Sequence, residues 1–429
     1  MKISMLLYND FVNDIRVHKE ARDLAAAGHS VLVIATRTVP GLAEEEERSG
    51  YRIRRVPLSA GWRTELRGSF NRVARERPGS PAGRAIDAVR RNRLRRAWVS
   101  ERMRTRFARG AVPLVEAWHP DAVHAHDLDV LAPAARAAER LGVPLVYDSH
   151  ELWRANNFLL KAHPVIRRRW QRMESRLIHR ASAVILTEES RAEKIREWYP
   201  GVDPIVVMNC QDGKSIPRTR ALRDRLGIGD DRRILLYQGL LHADRGIFVT
   251  LDALTELPES FVFVAIGQGQ DAPLLSRRIA SRGLSGRAYH VPAVHHEELT
   301  ALTASADYGL SLVQNTSLSY YLSAPNKIFE FMQAGLPMVA SDVPEVRRIW
   351  EEADLGERVD PSDPSAVARA VLTLEGDPTR RAAIEANARR LVRERYNWQG
   401  QMRNLLAVYE RLGARASATP ANRTPAPRD

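Results

Sequence analysis

Lys327 and Glu330, three residues apart, stand near the opening of the stretch "SAPNKIFEFMQAGLPMVAS", residues 323–341. A lysine can neutralise an anion, and a carboxylate can accept hydrogen bonds from hydroxyls. Both fall in what the pattern predicts to be the first turn of a helix, where free N–H groups and the helix dipole attract negative charge. Pro325 suits that turn, and Gly335 followed by Pro337 suits its end. Ile328, Phe331 and Met332, at i, i+3 and i+4, send a different face to a core. The plain alternative is a capped helix with a solvated Lys–Glu pair.

Further candidates follow short apolar runs. Gly239 comes after "RILLYQ", Arg245-Gly246 opens the next helical stretch, and Gly267-x-Gly269 comes after "FVFVAI". Glycine lets a backbone approach a ligand closely, and an arginine at a helix opening suits a diphosphate. His126 ends "AVHAH", and His150 follows "PLVYDS" with Glu151 beside it. A lone histidine is usually structural, whereas two at the ends of neighbouring strands are candidates for chemistry. Asp127-x-Asp129 has the spacing of a metal-binding pair, but its place between a strand and a helix start favours capping.

These residues need elements to position them. Apolar runs at "KISMLLY", "SVLVIAT", "DAVHAHD", "VPLVYDSH", "SAVILTE", "RILLYQG", "FVFVAIG", "DYGLSLV" and "LPMVAS" alternate with helical stretches, which predicts parallel sheets covered on both faces. They form two series, separated near Val206–Pro217, where periodicity gives way to Gly, Pro and polar residues. We expect an α/β protein with two Rossmann-like domains facing an interdomain cleft. The first spans 1–208, with a basic helical insertion near 61–110, and the second spans 209–395. A helix over 396–412 is expected to pack back on the first domain, before a disordered tail at 413–429. In open parallel sheets, ligands bind beyond the carboxyl ends of the strands.

Composition narrows the class. The 429 residues suit two cores, and a single cysteine, Cys210, excludes an internal disulfide framework or a cysteine-based zinc cluster. No apolar run reaches the ~18 residues that span a bilayer. The opening "MKISMLLYND" reads as a strand rather than a secretory leader, so the expected location is the cytoplasm. Net charge is +13, and fifteen arginines against four acids between Gly61 and Gly110 carry most of it. That block has helically spaced apolar residues and no nucleic-acid motif. An anionic membrane surface on the inner face or an acidic or lipid-linked acceptor would be attracted there, the plain alternative is a solvated basic face, and nucleic acid is not expected.

Taken together, "DIRVHKEARDLAAAGHSV", "AVHAHDLD", "VYDSHELW", "YQGLLHADRGI", "AIGQGQ" and "SAPNKIFEFMQAGLPMVAS" resemble a family-four glycosyltransferase of the GT-B fold over roughly residues 1–412. The resemblance implies transfer of a sugar from a nucleotide sugar, UDP- or GDP-linked, to a hydroxyl acceptor on a glycan or lipid-linked molecule. It also implies retention of configuration and no need for a metal. Glu330 matches the glutamate that holds the ribose hydroxyls, Arg245 the basic residue facing the diphosphate, and Lys327 a second phosphate contact. His126 matches a histidine near the donor sugar. Gly239, Gly267, Gly269 and Asn326 fall on the donor side, and Arg16, His150 and Glu151 on the acceptor side. Two positions depart from the family pattern: Leu322 replaces a glutamate and Leu240 an arginine. A nucleotide-sugar epimerase of similar architecture and a non-catalytic scaffold partner are the competing readings.

Overall fold

The computed structural model describes residues 1–58 and 93–418. Two compact units emerge. One comprises residues 1–187, 192–207 and 402–429, the other residues 188–191 and 208–401.

Among the described residues the first unit holds an eight-stranded sheet in the order β3-β4-β2-β1-β5-β6-β7-β8. Its strands are β1 (Lys2–Leu6), β2 (Ser30–Arg37), β3 (Glu45–Arg48), β4 (Tyr51–Pro57), β5 (Ala122–His126), β6 (Leu145–Ser149), β7 (Ala183–Leu186) and β8 (Ile205–Val206). All neighbours are parallel except β3 on β4. β1 is flanked on both sides, with Ile3 opposite Val31 and Ala122, so residues 3–6 are all buried. The Ile15–Ala26 helix starts where Asp14 accepts from the Val17 N–H at 3.2 Å. The basic block divides. Its residues 61–92 lie outside the described residues, while Arg93–Trp118 is a helix whose Phe107, Ala111 and Val115, four apart, are buried.

The second unit holds a six-stranded parallel sheet in the order β11-β10-β9-β12-β13-β14. These are β9 (Arg233–Gln238), β10 (Phe261–Ile266), β11 (Ala288–Val291), β12 (Tyr308–Ser311), β13 (Met338–Ser341) and β14 (Gly356–Val359). Leu235, Phe263, Ala265, Leu310 and Val339 pack with Ile247, Leu251, Val367 and Val371 of the covering helices. The helix read from residue 325 begins two residues later, at Lys327. Pro325 sits before it and accepts from the Ile328 N–H at 2.9 Å. Gly335, at φ +71°, ends it in the left-handed conformation. Ile328, Phe331 and Met332 are fully buried, each contributing about 1.5–3 kcal/mol.

The final helix runs Trp398–Ala418, so the first six residues of the expected disordered tail, 413–418, are helical and that expectation is corrected up to Ala418. Residues 419–429 lie outside the described residues. From Met402 onward the helix belongs to the first unit, where the Tyr409 hydroxyl lies 2.8 Å from His124 Nδ1. Among the described residues no helix is long and apolar enough to cross a membrane.

Candidate functional site

In the second unit Lys327, Gly239, Arg245 and Glu330 form one locality. The Lys327 side chain is buried, its ammonium 3.6 Å from the centre of the Tyr237 ring. A Cβ added at Gly239 would lie 3.8 Å from that ammonium. Among the described residues no carboxylate comes within 4.0 Å of it. Burial, and then the positive charge of Arg245, hold this ammonium well below the ordinary lysine range, with Glu330 opposing only in part. The solvated Lys–Glu pair is therefore not what forms. Arg245 closes a short 3₁₀ turn (Ala243–Arg245), and Gly246, at φ +80°, leads into the Ile247–Leu254 helix. Its guanidinium lies 4.5 Å over the Tyr320 ring and donates to the Tyr320 hydroxyl at 3.2 Å.

Glu330 is held by two amides. Gln238 Nε2 donates to one carboxylate oxygen and Gln211 Nε2 to the other, the latter at 3.2 Å. Gln238 is itself oriented by the Thr303 hydroxyl, which donates to its Oε1 at 2.7 Å. Asn326, at the helix start, is exposed and makes no side-chain cap. Gly267 and Gly269 have a closer reason for being glycine than a ligand. A Cβ at 267 would stand 1.9 Å from the Gly239 carbonyl oxygen and one at 269 would stand 2.1 Å from that of Leu241, so these two loops pack backbone on backbone. Leu322 is buried, whereas Leu240 is 57% exposed beside Gly239.

In the first unit His126 and His150 belong to a larger polar cluster. His124 and His126, two apart on β5, share a face of the sheet, their rings stacked at 4.2 Å. His126 Nδ1 lies 3.3 Å from His150 Nε2 and 3.5 Å from Asp148 Oδ2. Arg16 lies between two buried carboxylates, 3.0 Å from Glu20 and 2.9 Å from Asp148, and donates to the Val207 carbonyl at 2.6 Å. Burial opposes ionisation of Asp148, but Arg16 and His150 hold its carboxyl well below the usual range. Burial also opposes charge on His150, yet Asp127 and Asp148 hold its imidazole well above the histidine range. Burial raises Glu20 and lowers His124. Glu151 is half-buried, and its carbonyl accepts from the Ser149 hydroxyl at 2.7 Å.

Ligating atoms of Glu20, His124, His126 and Asp148 lie within 4.8 Å of one another. A cation there would sit beside the Arg16 guanidinium, which already balances both carboxylates. The capping expected of Asp127 and Asp129 is not what they do. Asp127, at φ +69°, makes no side-chain cap and instead accepts from the His150 N–H at 2.9 Å and the Trp153 indole at 2.8 Å. Asp129 pairs with Arg104.

Sequence reasoning missed Gln238, Gln211, Tyr237, Glu20, His124 and Asp148. For His124 a signal existed: His-x-His on a strand puts both rings on one face.

Residues 14–210 match the Glycosyl transferase 4-like domain, and residues 218–391 match Glycosyl transferases group 1. This chain is a family-four glycosyltransferase of the GT-B fold. The glycosyltransferase is 28% identical over 319 residues to a D-inositol 3-phosphate glycosyltransferase of Xylanimonas cellulosilytica, covering 71% of this chain and 74% of that one. It is also 28% identical over 292 residues to an alpha-D-kanosaminyltransferase of Streptomyces kanamyceticus, covering 64% and 72%. Its fold is shared with sucrose-phosphate synthase of Thermosynechococcus elongatus, at TM-score 0.74 and 19% identity over 97% of this chain and 100% of that one. It is shared as well with Anabaena HepE, solved with UDP, at TM-score 0.69 and 17% identity over 98% and 100%.

Proposed function

We propose that this glycosyltransferase moves a sugar from a UDP- or GDP-linked donor to a hydroxyl acceptor with retention of configuration, in the synthesis of a cell-surface glycan, a glycolipid or a secondary metabolite. One observation carries the reading. Lys327 is buried beside a second cation, Arg245, and among the described residues no carboxylate lies within 4.0 Å of its amine, so a positive charge there is costly unless an anion completes it. A donor diphosphate supplies two negative groups. Glu330, fixed by Gln238 and Gln211, then offers its remaining lone pairs to the ribose hydroxyls.

The acceptor hydroxyl attacks on the face that the diphosphate leaves and gives its proton to a diphosphate oxygen. The anomeric carbon–oxygen bond breaks as the new one forms, with no protein nucleophile. Arg245 and Lys327 neutralise the leaving diphosphate, so no metal is required. His126 acts on the sugar side, and Arg16, His150 and Glu151 on the acceptor side. The single cysteine, Cys210, suits a cytoplasmic enzyme. Leu322, where the family pattern has a glutamate, favours the second reading, a nucleotide-sugar-binding scaffold without turnover. Measuring nucleoside diphosphate release over a panel of donor sugars, with and without acceptor alcohols, separates the two. Release with one donor supports the enzyme, and saturable binding without release supports the scaffold.

A further inference from the structure

A surface of the first unit combines an uncompensated row of arginines with exposed apolar side chains. Within residues 152–180 eight basic residues face a single acidic one, Glu174, which is buried and hydrogen-bonded to the Tyr147 and Tyr199 hydroxyls at 3.1 and 3.0 Å. On the Pro164–Leu177 helix, Arg168, Arg172 and Arg176 stand four apart, so they form one exposed row. With Arg154, Gln171 and Ser175 they line an open cavity of about 540 Å³. Among the described residues none of these four arginines has a carboxylate within 4.0 Å. Like charges at this spacing destabilise a helix unless something neutralises them.

At the same end the chain leaves three large apolar residues in solvent: Phe158 (53% exposed), Leu160 (42%) and Val165 (65%). Val165 lies three residues before Arg168, on the face that carries the row. Phe158 is braced edge-on by Trp153 and Trp170, at 6.2 and 6.4 Å between ring centres.

We propose that this face, Phe158, Leu160 and Val165 with Arg154, Arg168, Arg172 and Arg176, docks the protein on an anionic lipid bilayer. A soluble anion would answer the arginines but leave the apolar residues in water. The interface of a charged bilayer takes both, with headgroup phosphates against the row and acyl boundary against Phe158, Leu160 and Val165. The inference is independent of the nucleotide-sugar reading. It also uses a different part of the chain from the 61–110 block.

The test is co-sedimentation of the full chain with vesicles of phosphatidylcholine alone or with one-third phosphatidylglycerol. Folding of each variant is checked by circular dichroism and thermal midpoint. The wild type is expected to bind only the anionic vesicles. Arg168→Glu/Arg172→Glu/Arg176→Glu should lower partitioning by about a hundredfold, at roughly fivefold per arginine. Phe158→Ser/Leu160→Ser/Val165→Ser should lower it by about tenfold and leave the remainder fully salt-sensitive. Three results overturn the proposal: no binding to anionic vesicles, binding that the arginine variant leaves unchanged, or complete displacement by inorganic phosphate at matched ionic strength. The last would make the cavity a site for a soluble anion.

Discussion

Gln238 donates its side-chain amide to the Glu330 carboxylate, joining the end of β9 to the first turn of the Lys327–Ala334 helix across 92 residues of sequence. The Thr303 hydroxyl lies 2.7 Å from the Gln238 side-chain carbonyl, an orientation that turns the amide nitrogen toward Glu330. The carboxylate is therefore positioned before any nucleotide arrives.

Glu330→Gln is expected to do more than remove a charge. Both carboxylate oxygens accept from amide donors, and glutamine has one acceptor, so a donor–donor contact arises unless the Gln211 amide turns over. A stability loss of about 1–3 kcal/mol is expected from that contact. Nucleotide affinity should fall at least about tenfold through loss of charge-assisted bonds to the ribose. The distinguishing measurement is calorimetry with the natural diphosphate and its 2′,3′-dideoxy analogue. Wild type should discriminate between them and the variant should not, an outcome that structural damage alone would not produce. If the variant discriminates as wild type does, Glu330 does not touch the ribose.

How much of this was legible follows physical lines. Strands with unbroken apolar runs, such as Phe261–Ile266 in β10, announced themselves because both faces are covered. β4 did not, since Arg52, Arg54 and Arg55 interrupt it. Arg55 is nonetheless buried, its charge met by the Asp10 and Ala43 carbonyls and Glu46. β11 and β14 are edge strands of four residues, "AYHV" and "GERV", too short and too polar to stand out. At the site, Lys327 and Glu330 were legible because one helical turn carries both. Gln211 and Gln238 were not, because a glutamine amide has no spacing signature and each partner lies about a hundred residues away.

His126→Ala is expected to abolish transfer, by more than about a hundredfold, while nucleotide affinity stays within threefold, because the ring belongs to the first unit and the diphosphate residues to the second. The ring is buried against His124, so the substitution also leaves a cavity. His124→Ala, in the same stack, is the control. Equal loss of transfer in both variants, tracking equal loss of thermal midpoint, would make His126 structural.

His150 gives the first unit a pH dependence. Its folded pKa is raised by Asp127 and Asp148 against burial, so its stabilising contribution is complete below the unfolded value of about 6.5 and is lost as pH rises through the folded value. Denaturant unfolding of wild type and His150→Gln should therefore show the largest gap near pH 6, closing toward alkaline pH. A gap that widens as pH rises would reverse the assigned charge state.

Lys327 makes the opposite linkage. Burial and Arg245 depress its folded pKa well below 10.5, so in the free protein the unfolded chain binds more protons across that window, and stability rises with pH there. Lys327→Met removes the slope and the cost of burying the charge, and should leave the ligand-free protein as stable as wild type or up to about 1 kcal/mol more stable at neutral pH. The diphosphate restores the missing counter-charge and pulls the lysine pKa back up, so nucleotide binding to wild type should take up a proton in the same window. Calorimetry in buffers of different ionisation enthalpy reads that uptake directly. In Lys327→Met the uptake should vanish and affinity should fall at least about tenfold. Tight binding with no proton uptake in wild type would mean that the anion lies elsewhere and that the buried ammonium serves only the packing around Tyr237.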